Sequence, residues 1–407
     1  MKLFGLSPAI RGWCLIPAVL LAASASDART AAPSRRSPAQ IKAFVARAME
    51  GTGARGLAIA VIEDGRVAHV GAYGFRNAKD EPLTADTVMY AASLTKTVFA
   101  YTVMQLAGQG RLDLDRPIAA LLPRPLPDYG TDADVVRAYA DYGPLADDPR
   151  WRAITPRMVL DHSTGFANYF FFEDDKRARI HFDPGTRYAY SGDGMILLQL
   201  GIEKGLGFSI GALTDANFRR LGMTHTSLVW RDDFAANMAD GWTADGAALP
   251  HDERSRVRAA GSMDTTIADF ARFAAAFVRG EGLSPASRAE MVRPQLRITS
   301  SRQFPTLWPQ LQLPPEQQRS DLAAGLGVIV FAGPQGPGFY KGGHDDATGN
   351  TMVCVERGRR CVVILANDVR AERAFPAIVR FILGETGAPW DWEYGDLVFW
   401  DGIAPSR

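Results

Sequence analysis

Apolar and polar positions alternate with two different periods along the chain, and the periods divide it. Ile41 to Met49 carries its apolar residues on one helical face, which predicts a helix. Leu57 to Ile62 and Arg66 to Tyr73 read as two strands turning at Asp64-Gly65, a strong hairpin signal. From Leu94 to Leu106 the spacing of Val98, Val103, Met104 and Leu106 predicts a largely buried helix. The stretch from Leu112 to Gln310 reads mostly as helix and loop, punctuated by Pro117, Pro123, Pro125 and Pro127. Strands return at Gly327 to Phe331, Thr351 to Val355 and Cys361 to Leu365, and a helix is predicted from Ala374 to Leu383. Strands at both ends with a helical insertion between them predict one antiparallel sheet completed by distant segments. The expected fold is therefore α/β (α+β): an antiparallel sheet flanked by helices, plus a mostly helical lobe.

The first residues read differently. Lys2 and Arg11 precede an apolar run from Trp13 to Ala23, and Ala23-Ser24-Ala25 supplies a small-residue cleavage pattern. This predicts a secretory signal over 1–25, followed by a polar linker over 26–38 and an exported, periplasmic or secreted enzyme. The run is shorter than the roughly twenty apolar residues a spanning helix needs, and no later segment is long enough, so no stable membrane span is expected. The folded unit is expected over 39–390, with its sheet part at about 39–110 and 320–390, its helical lobe at about 111–319, and a tail over 391–407.

Composition narrows the partner. Of the 407 residues 47% are hydrophobic and 22% charged, too apolar a balance for a disordered chain. Lys plus Arg and Asp plus Glu are both 45, so no basic field draws the chain to nucleic acid. A small-molecule or short-peptide substrate is expected, and the oligomeric state is left open. Cys354 and Cys361 lie directly opposite one another if Arg357-Gly358 forms a hairpin loop. A disulfide in an oxidising compartment and two half-buried thiols both remain open there.

Only seven of the basic residues are Lys, and one of them stands at a place of chemical interest. Ser93-Leu94-Thr95-Lys96 sits where a loop enters the buried helix. Three residues is nearly one helical turn, so hydroxyl and amine project to the same side. The amine can then take the hydroxyl proton, while the free N–H groups of the helix entry face any oxyanion formed there. Chance alone gives about 0.3 such Ser/Lys pairs in a chain of this composition, so the tetrad needs its context.

That context is a series of motifs: Met89-Tyr90-Ala91-Ala92-Ser93-Leu94-Thr95-Lys96, Gly110-Arg111-Leu112-Asp113-Leu114-Asp115, and Ile154 through Asp161-His162-Ser163-Thr164-Gly165. Further on come Phe182-Asp183-Pro184-Gly185, Tyr188-Ala189-Tyr190-Ser191-Gly192, Leu221-Gly222-Met223-Thr224, and Ala260 to Thr266. In this order and spacing the chain resembles the serine β-lactamase and penicillin-binding-protein-like family, in its class C and esterase branch, from about residue 40 to 385.

The resemblance implies that Ser93 is the acylated nucleophile, Lys96 its activating partner and Tyr190 a proton shuttle. A phenol near its reference pKa of about 10 is a poor base, so that role calls for a neighbouring ammonium, which Lys96 could supply. The family's second motif ends in Asn, which contacts an acylamide; here Gly192 stands in its place, which puts recognition of an amide side chain in question. The family's third motif falls in Tyr340-Lys341-Gly342-Gly343-His344-Asp345-Asp346 in one of two registers. Lys341-Gly342-Gly343 would bring an ammonium for a substrate carboxylate and small residues, Gly343 among them, for the substrate to lie against; this register is preferred. The other uses His344. His162 matches a structural position, and a relay with Asp161 rests on adjacency alone.

Histidines elsewhere lack metal-ligand spacing and no Gly-rich strand-to-helix fingerprint is present, so neither metal nor other cofactor is expected. The expected reaction is cleavage of an ester, amide or lactam through a Ser93 acyl-enzyme, as in a carboxylesterase, a D-amino-acid peptidase or a β-lactamase. Two rivals are an inactive binder of cell-wall fragments on the same fold and an acyltransferase.

Overall fold

The structure, a computed structural model, describes residues 35–304, 307 and 311–402. The expected signal segment and most of the linker after it lie outside the described residues.

In chain order, α1 spans Pro38–Thr52, β1 Gly56–Glu63, β2 Arg66–Gly74 and α2 Thr95–Gly108. Within the helical lobe, α3 spans Gly192–Leu200 and α4 Ile267–Arg279. The chain then returns to the sheet with β3 Leu296–Arg297, β4 Leu322–Ala324, β5 Ile329–Gly333, β6 Gly336–His344, β7 Gly349–Val355 and β8 Arg360–Ala366. Helices α5, Phe375–Leu383, and α6, Trp390–Tyr394, follow. The eight strands form one sheet in the order β2-β1-β8-β7-β6-β5-β4-β3, antiparallel at each pairing. The first and last strands of the sheet part are thus neighbours, β1 beside β8, as the sequence pattern predicts.

The central strands are apolar on both faces because both faces are covered. Leu57, Ile59 and Val61 of β1 join Val362 and Ile364 of β8 in a core with Ile41 and Val45 of α1 and Phe375, Ile378 and Ile382 of α5. Ala58, Ala60 and Ile62 alternate to the other face, with Val363 and Leu365, and meet Phe99 and Val103 of α2 and Phe270, Phe273 and Phe277 of α4. Helix α2 is buried on nearly every side, from Thr95 through Met104. Asp64 and Gly65 both take positive φ, 51° and 72°, which is the two-residue turn the right-handed twist of a hairpin favours.

The structure departs from the sequence reading in three places. The strand predicted at Gly327 begins at Ile329, because Gly327 takes φ 78° in the turn that joins β4 to β5. Strand β6 is nine residues long but carries four glycines, so it shows no apolar alternation to read. The segment set apart as a tail is packed against the body through Trp392 and Trp400, both buried in the α1/α5 core. Among the described residues, no single helix is long and apolar enough to cross a membrane.

Cys354 and Cys361, left open by the sequence, are joined. They pair across β7 and β8 with Cα atoms 4.1 Å apart, the close spacing of a pair that exchanges no ladder hydrogen bonds. The bond lies in the core beneath α4, with both residues fully buried. Replacing both by Ala is expected to lower the unfolding free energy by about 2 kcal/mol, since the closed loop is short. Urea denaturation measures this; an unchanged midpoint would show that the link adds nothing to the strand pairing.

Candidate active site

The site lies where the start of α2 meets the last residues of β6, beyond its pairing with β5. The chain enters α2 through a short 3-10 turn, Ala92–Leu94, and Ala92 is held at φ 47°, a region that favours glycine. That turn is tied down from the helical lobe: Ala91 donates its N–H to the Met263 carbonyl at 2.9 Å, and Met263 donates to Thr95 Oγ1 at 3.1 Å. Ser93 is thereby fixed on a tight turn with its hydroxyl directed along the helix.

Lys96 Nζ lies 2.9 Å from Ser93 Oγ and donates to the Ala260 carbonyl at 2.5 Å. Its side chain has no exposed surface. Burial pushes the ammonium well below the usual lysine range, and the Lys341 charge adds to the effect. An amine in that state has a lone pair to accept the hydroxyl proton.

Tyr190 comes in from the helical lobe, two residues before α3. Its position is set by His162, whose carbonyl accepts from Ala189 N at 2.8 Å and whose Nδ1 accepts from Ser191 N at 3.1 Å. The His162 ring also packs on Tyr190 at 4.5 Å between centroids. Burial keeps this imidazole neutral, with its pKa well below the ordinary value. Asp161 forms no relay with it: its carboxylate accepts from Ser163, at 2.6 Å from the hydroxyl.

Lys341 reaches the same point from β6. Its Nζ donates to Tyr190 Oη at 3.2 Å and to the Gly342 carbonyl at 2.5 Å. Both lysines lie over the Tyr190 ring, Lys96 at 4.9 Å and Lys341 at 5.0 Å from its centroid. Burial lowers Lys341 to about 8, against the pull of Glu393. Burial also holds the Tyr190 phenol well above its usual range, with a hydrogen bond to Ser93 opposing. The ammonium on the phenol oxygen is therefore Lys341, where the sequence had pointed to Lys96.

Strand alternation sorts the rest of the third motif. Gly343 faces the Ser93 turn: a Cβ there would lie 2.7 Å from the Ala91 carbonyl and 3.2 Å from Ser93 N, so only glycine lets the strand approach so closely. The His344 ring turns to the other face, where Nδ1 lies 3.0 Å from both Glu372 oxygens. Sequence reasoning held it as a substrate contact; the alternation takes its side chain away from Ser93. Gly192 stands near Tyr190, and a Cβ on it would fall 2.5 Å from Cε1 of Tyr169. The ring of Tyr169 fills the space.

Three groups here had no sequence signal. Tyr169 belongs to a run of aromatic residues, Tyr169 to Phe172, that reads as ordinary apolar loop. The Ala260 carbonyl is a backbone group in a motif noted only for its likeness. Glu393, in the expected tail, accepts from Tyr340 Oη and Gln303 Nε2, both at 2.6 Å. Beside the site, a cavity of about 560 Å3 is lined by Tyr90, Tyr139, Tyr169, Phe171, Arg254 and Arg258, among others. Its wall meets the Ser93 turn at Tyr90, whose hydroxyl donates to the Gly261 carbonyl at 2.7 Å. Among the described residues, no group of three or more His, Cys, Asp or Glu is placed to hold a metal ion.

Known proteins resemble the chain in sequence and in fold. A lovastatin esterase of Penicillium rubens is 27% identical over 193 residues, 42% of this chain and 47% of that protein. The chain spans less than half the length of the curated relatives it matches. Among solved structures, the octameric penicillin-binding protein homologue of Pyrococcus abyssi aligns with a TM-score of 0.66 at 19% identity, over 86% of this chain and 78% of that one. The D-alanine carboxypeptidase AmpC of Burkholderia cenocepacia aligns with a TM-score of 0.64 at 19% identity, over 84% of this chain and 97% of that one. Residues 41–384 match the family Beta-lactamase, and over that span the chain belongs to the β-lactamase family.

Proposed function

We propose that the protein is an exported serine esterase that passes the acyl group of an ester to Ser93 and then to water. The observation that carries the choice of ester over amide or lactam is the Tyr169 ring in the space beside Gly192. The resemblance implies an Asn amide there to grip an acylamide. A phenol ring stacked on Phe171 at 4.9 Å offers an apolar surface instead. An amide-bearing substrate would leave its polar group without that partner, at a cost an ester does not meet.

The reaction assigns each group one task. Ser93 Oγ attacks the ester carbonyl carbon while its proton passes to the neutral amine of Lys96. The carbonyl oxygen gains negative charge beside Ser93 N and the edge of β6. As the C–O bond to the alcohol breaks, the leaving oxygen takes a proton relayed through Tyr190, which Lys341 keeps oriented and whose transient negative charge it offsets. Water then repeats the sequence on the acyl-enzyme and restores the Ser93 hydroxyl. A receptor for cell-wall fragments would have no need of a desolvated amine 2.9 Å from a hydroxyl. An acyltransferase would share the first half and differ in the acceptor. Lys341 supports one second reading, a D-amino-acid peptidase that holds a substrate carboxylate. Export rests on the Lys2 to Ala25 pattern and is supported by the buried disulfide, which fits an oxidising compartment.

Intact-mass measurement after treatment with a fluorophosphonate is expected to show one adduct on the wild type and none on Ser93→Ala. p-Nitrophenyl butyrate should turn over at least about a hundredfold faster in kcat/KM than nitrocefin, since the interaction lost with the Asn is worth a few kcal/mol. Equal turnover of the two, or nitrocefin faster, would overturn the ester assignment.

The pH profile follows from the two lysines. Lys96 must be neutral and Lys341 charged, so kcat/KM should rise from acid pH as Lys96 loses its proton and fall again near pH 8 as Lys341 loses its own. Lys341→Met should lower the plateau and remove the alkaline limb. An alkaline limb that persists in that variant would assign it elsewhere.

A further inference from the structure

Lys341 would hold a substrate carboxylate if the site took one, yet an acid of this chain already faces it. Helix α6 is anchored on the edge of the sheet: the Trp392 carbonyl accepts from Gln303 N at 2.8 Å and Trp392 Nε1 donates to Ser300 Oγ at 3.2 Å. The next residue, Glu393, is thereby laid on β6. Its Oε2 is fixed by Tyr340 Oη and Gln303 Nε2, and Gln303 is in turn held by Tyr188 Oη at 2.9 Å. Its Oε1 lies where a Cβ on Gly342 would stand, so the lack of a side chain at Gly342 is what admits the carboxylate. Glu393, Lys341 and Tyr190 line one narrow cavity, facing each other without direct ion-pair contact.

Lys341 has little left to offer an incoming acid. Two of its three N–H donors go to Tyr190 and Gly342. On the other side of Glu393 a cleft of about 450 Å3 holds Glu372 and Asp396 as well, against Arg302 and His344. Those two basic side chains are each engaged, Arg302 with Asp396 at 3.0 Å and His344 with Glu372 at 3.0 Å. Burial raises the Glu393 pKa above the usual carboxylate value; the Lys341 charge, and after it the hydrogen bond from Tyr340, oppose that and favour the charged form.

We propose that Glu393 sets the charge preference of the site: it balances Lys341 from within the chain, so that uncharged esters are accepted and esters bearing a carboxylate are turned away. The proposal deepens the esterase reading and rests on it. It reverses what Lys341 suggests when taken alone.

Three esters of matched size test it: phenyl butyrate, monophenyl succinate with a carboxylate on the acyl side, and 3-carboxyphenyl butyrate with one on the leaving side. The wild type should favour phenyl butyrate over both acidic esters by at least about tenfold in kcat/KM. Glu393→Gln keeps the shape and removes the charge, and should shrink that preference at least about tenfold for one acidic ester or both. A thermal melt checks folding, and Glu393→Ala serves where the Gln variant does not fold. Binding of the same esters to Ser93→Ala and to Ser93→Ala/Glu393→Gln, by calorimetry, gives the preference without turnover. Wild-type preference below twofold, or a preference that neither substitution moves in turnover or binding, overturns the proposal. If the wild type hydrolyses none of the esters, the esterase reading fails, and the binding comparison still decides the role of Glu393.

Discussion

The arrangement depends on keeping one lysine amine out of water. A buried ammonium costs several kcal/mol unless it is paired or loses its proton. Lys96 is walled in by a helix that is apolar on nearly all sides, and the polar atoms within reach are a hydroxyl and a carbonyl, neither of them charged. Only uncharged groups, these two acceptors and the face of the Tyr190 ring, offset the loss of water. The fold thus disfavours the ammonium of Lys96, and it does so by packing α2 into the core it shares with the sheet and α4. The second lysine reinforces this, since two positive charges over one ring disfavour each other, and Lys341 has Glu393 to oppose its loss of charge.

Much of this was legible in the sequence, for identifiable reasons. The Asp64-Gly65 turn and the paired β1 and β2 follow from local chemistry, since few residues other than Asp, Asn and Gly take positive φ twice in succession. The Cys354 and Cys361 register follows from counting outward from Arg357-Gly358. Ser93 and Lys96 are within one helical turn, so their meeting needs no long-range information. Lys341 and Tyr190 are 151 residues apart, and nothing local says that their side chains meet. Likeness to other chains brought both into the site but paired Tyr190 with Lys96, and the contact with Lys341 comes from the fold.

What the sequence did not reveal is what depends on space vacated by glycine. Strand β6 has no readable alternation because its working positions are glycines, and each glycine is informative only through the atom that occupies the missing side chain's place. At Gly343 that neighbour is the backbone of the Ser93 turn; at Gly342 it is the Glu393 carboxylate; at Gly192 it is the Tyr169 ring. Glycine in a sequence therefore says that something comes close, and only the fold says what. The sequence reading took Gly192 as putting amide recognition in question, and the fold places the Tyr169 ring in the space its side chain would fill.

The groups of the candidate site divide into a deep set and a peripheral set. Ser93, Lys96 and Tyr190 are held by α2, the 260–263 segment and His162, all of them deep in the body of the protein. Tyr169 and Glu393 arrive instead from a loop and from the last helix described, elements that contribute little to the sheet. Neither is among the hydrogen-bond partners of Lys96, which are Ser93 and the Ala260 carbonyl. Substrate choice can then shift through peripheral segments while the costly step, burial of the base, stays with the core. A substitution that exposed Lys96 would be felt in every substrate alike.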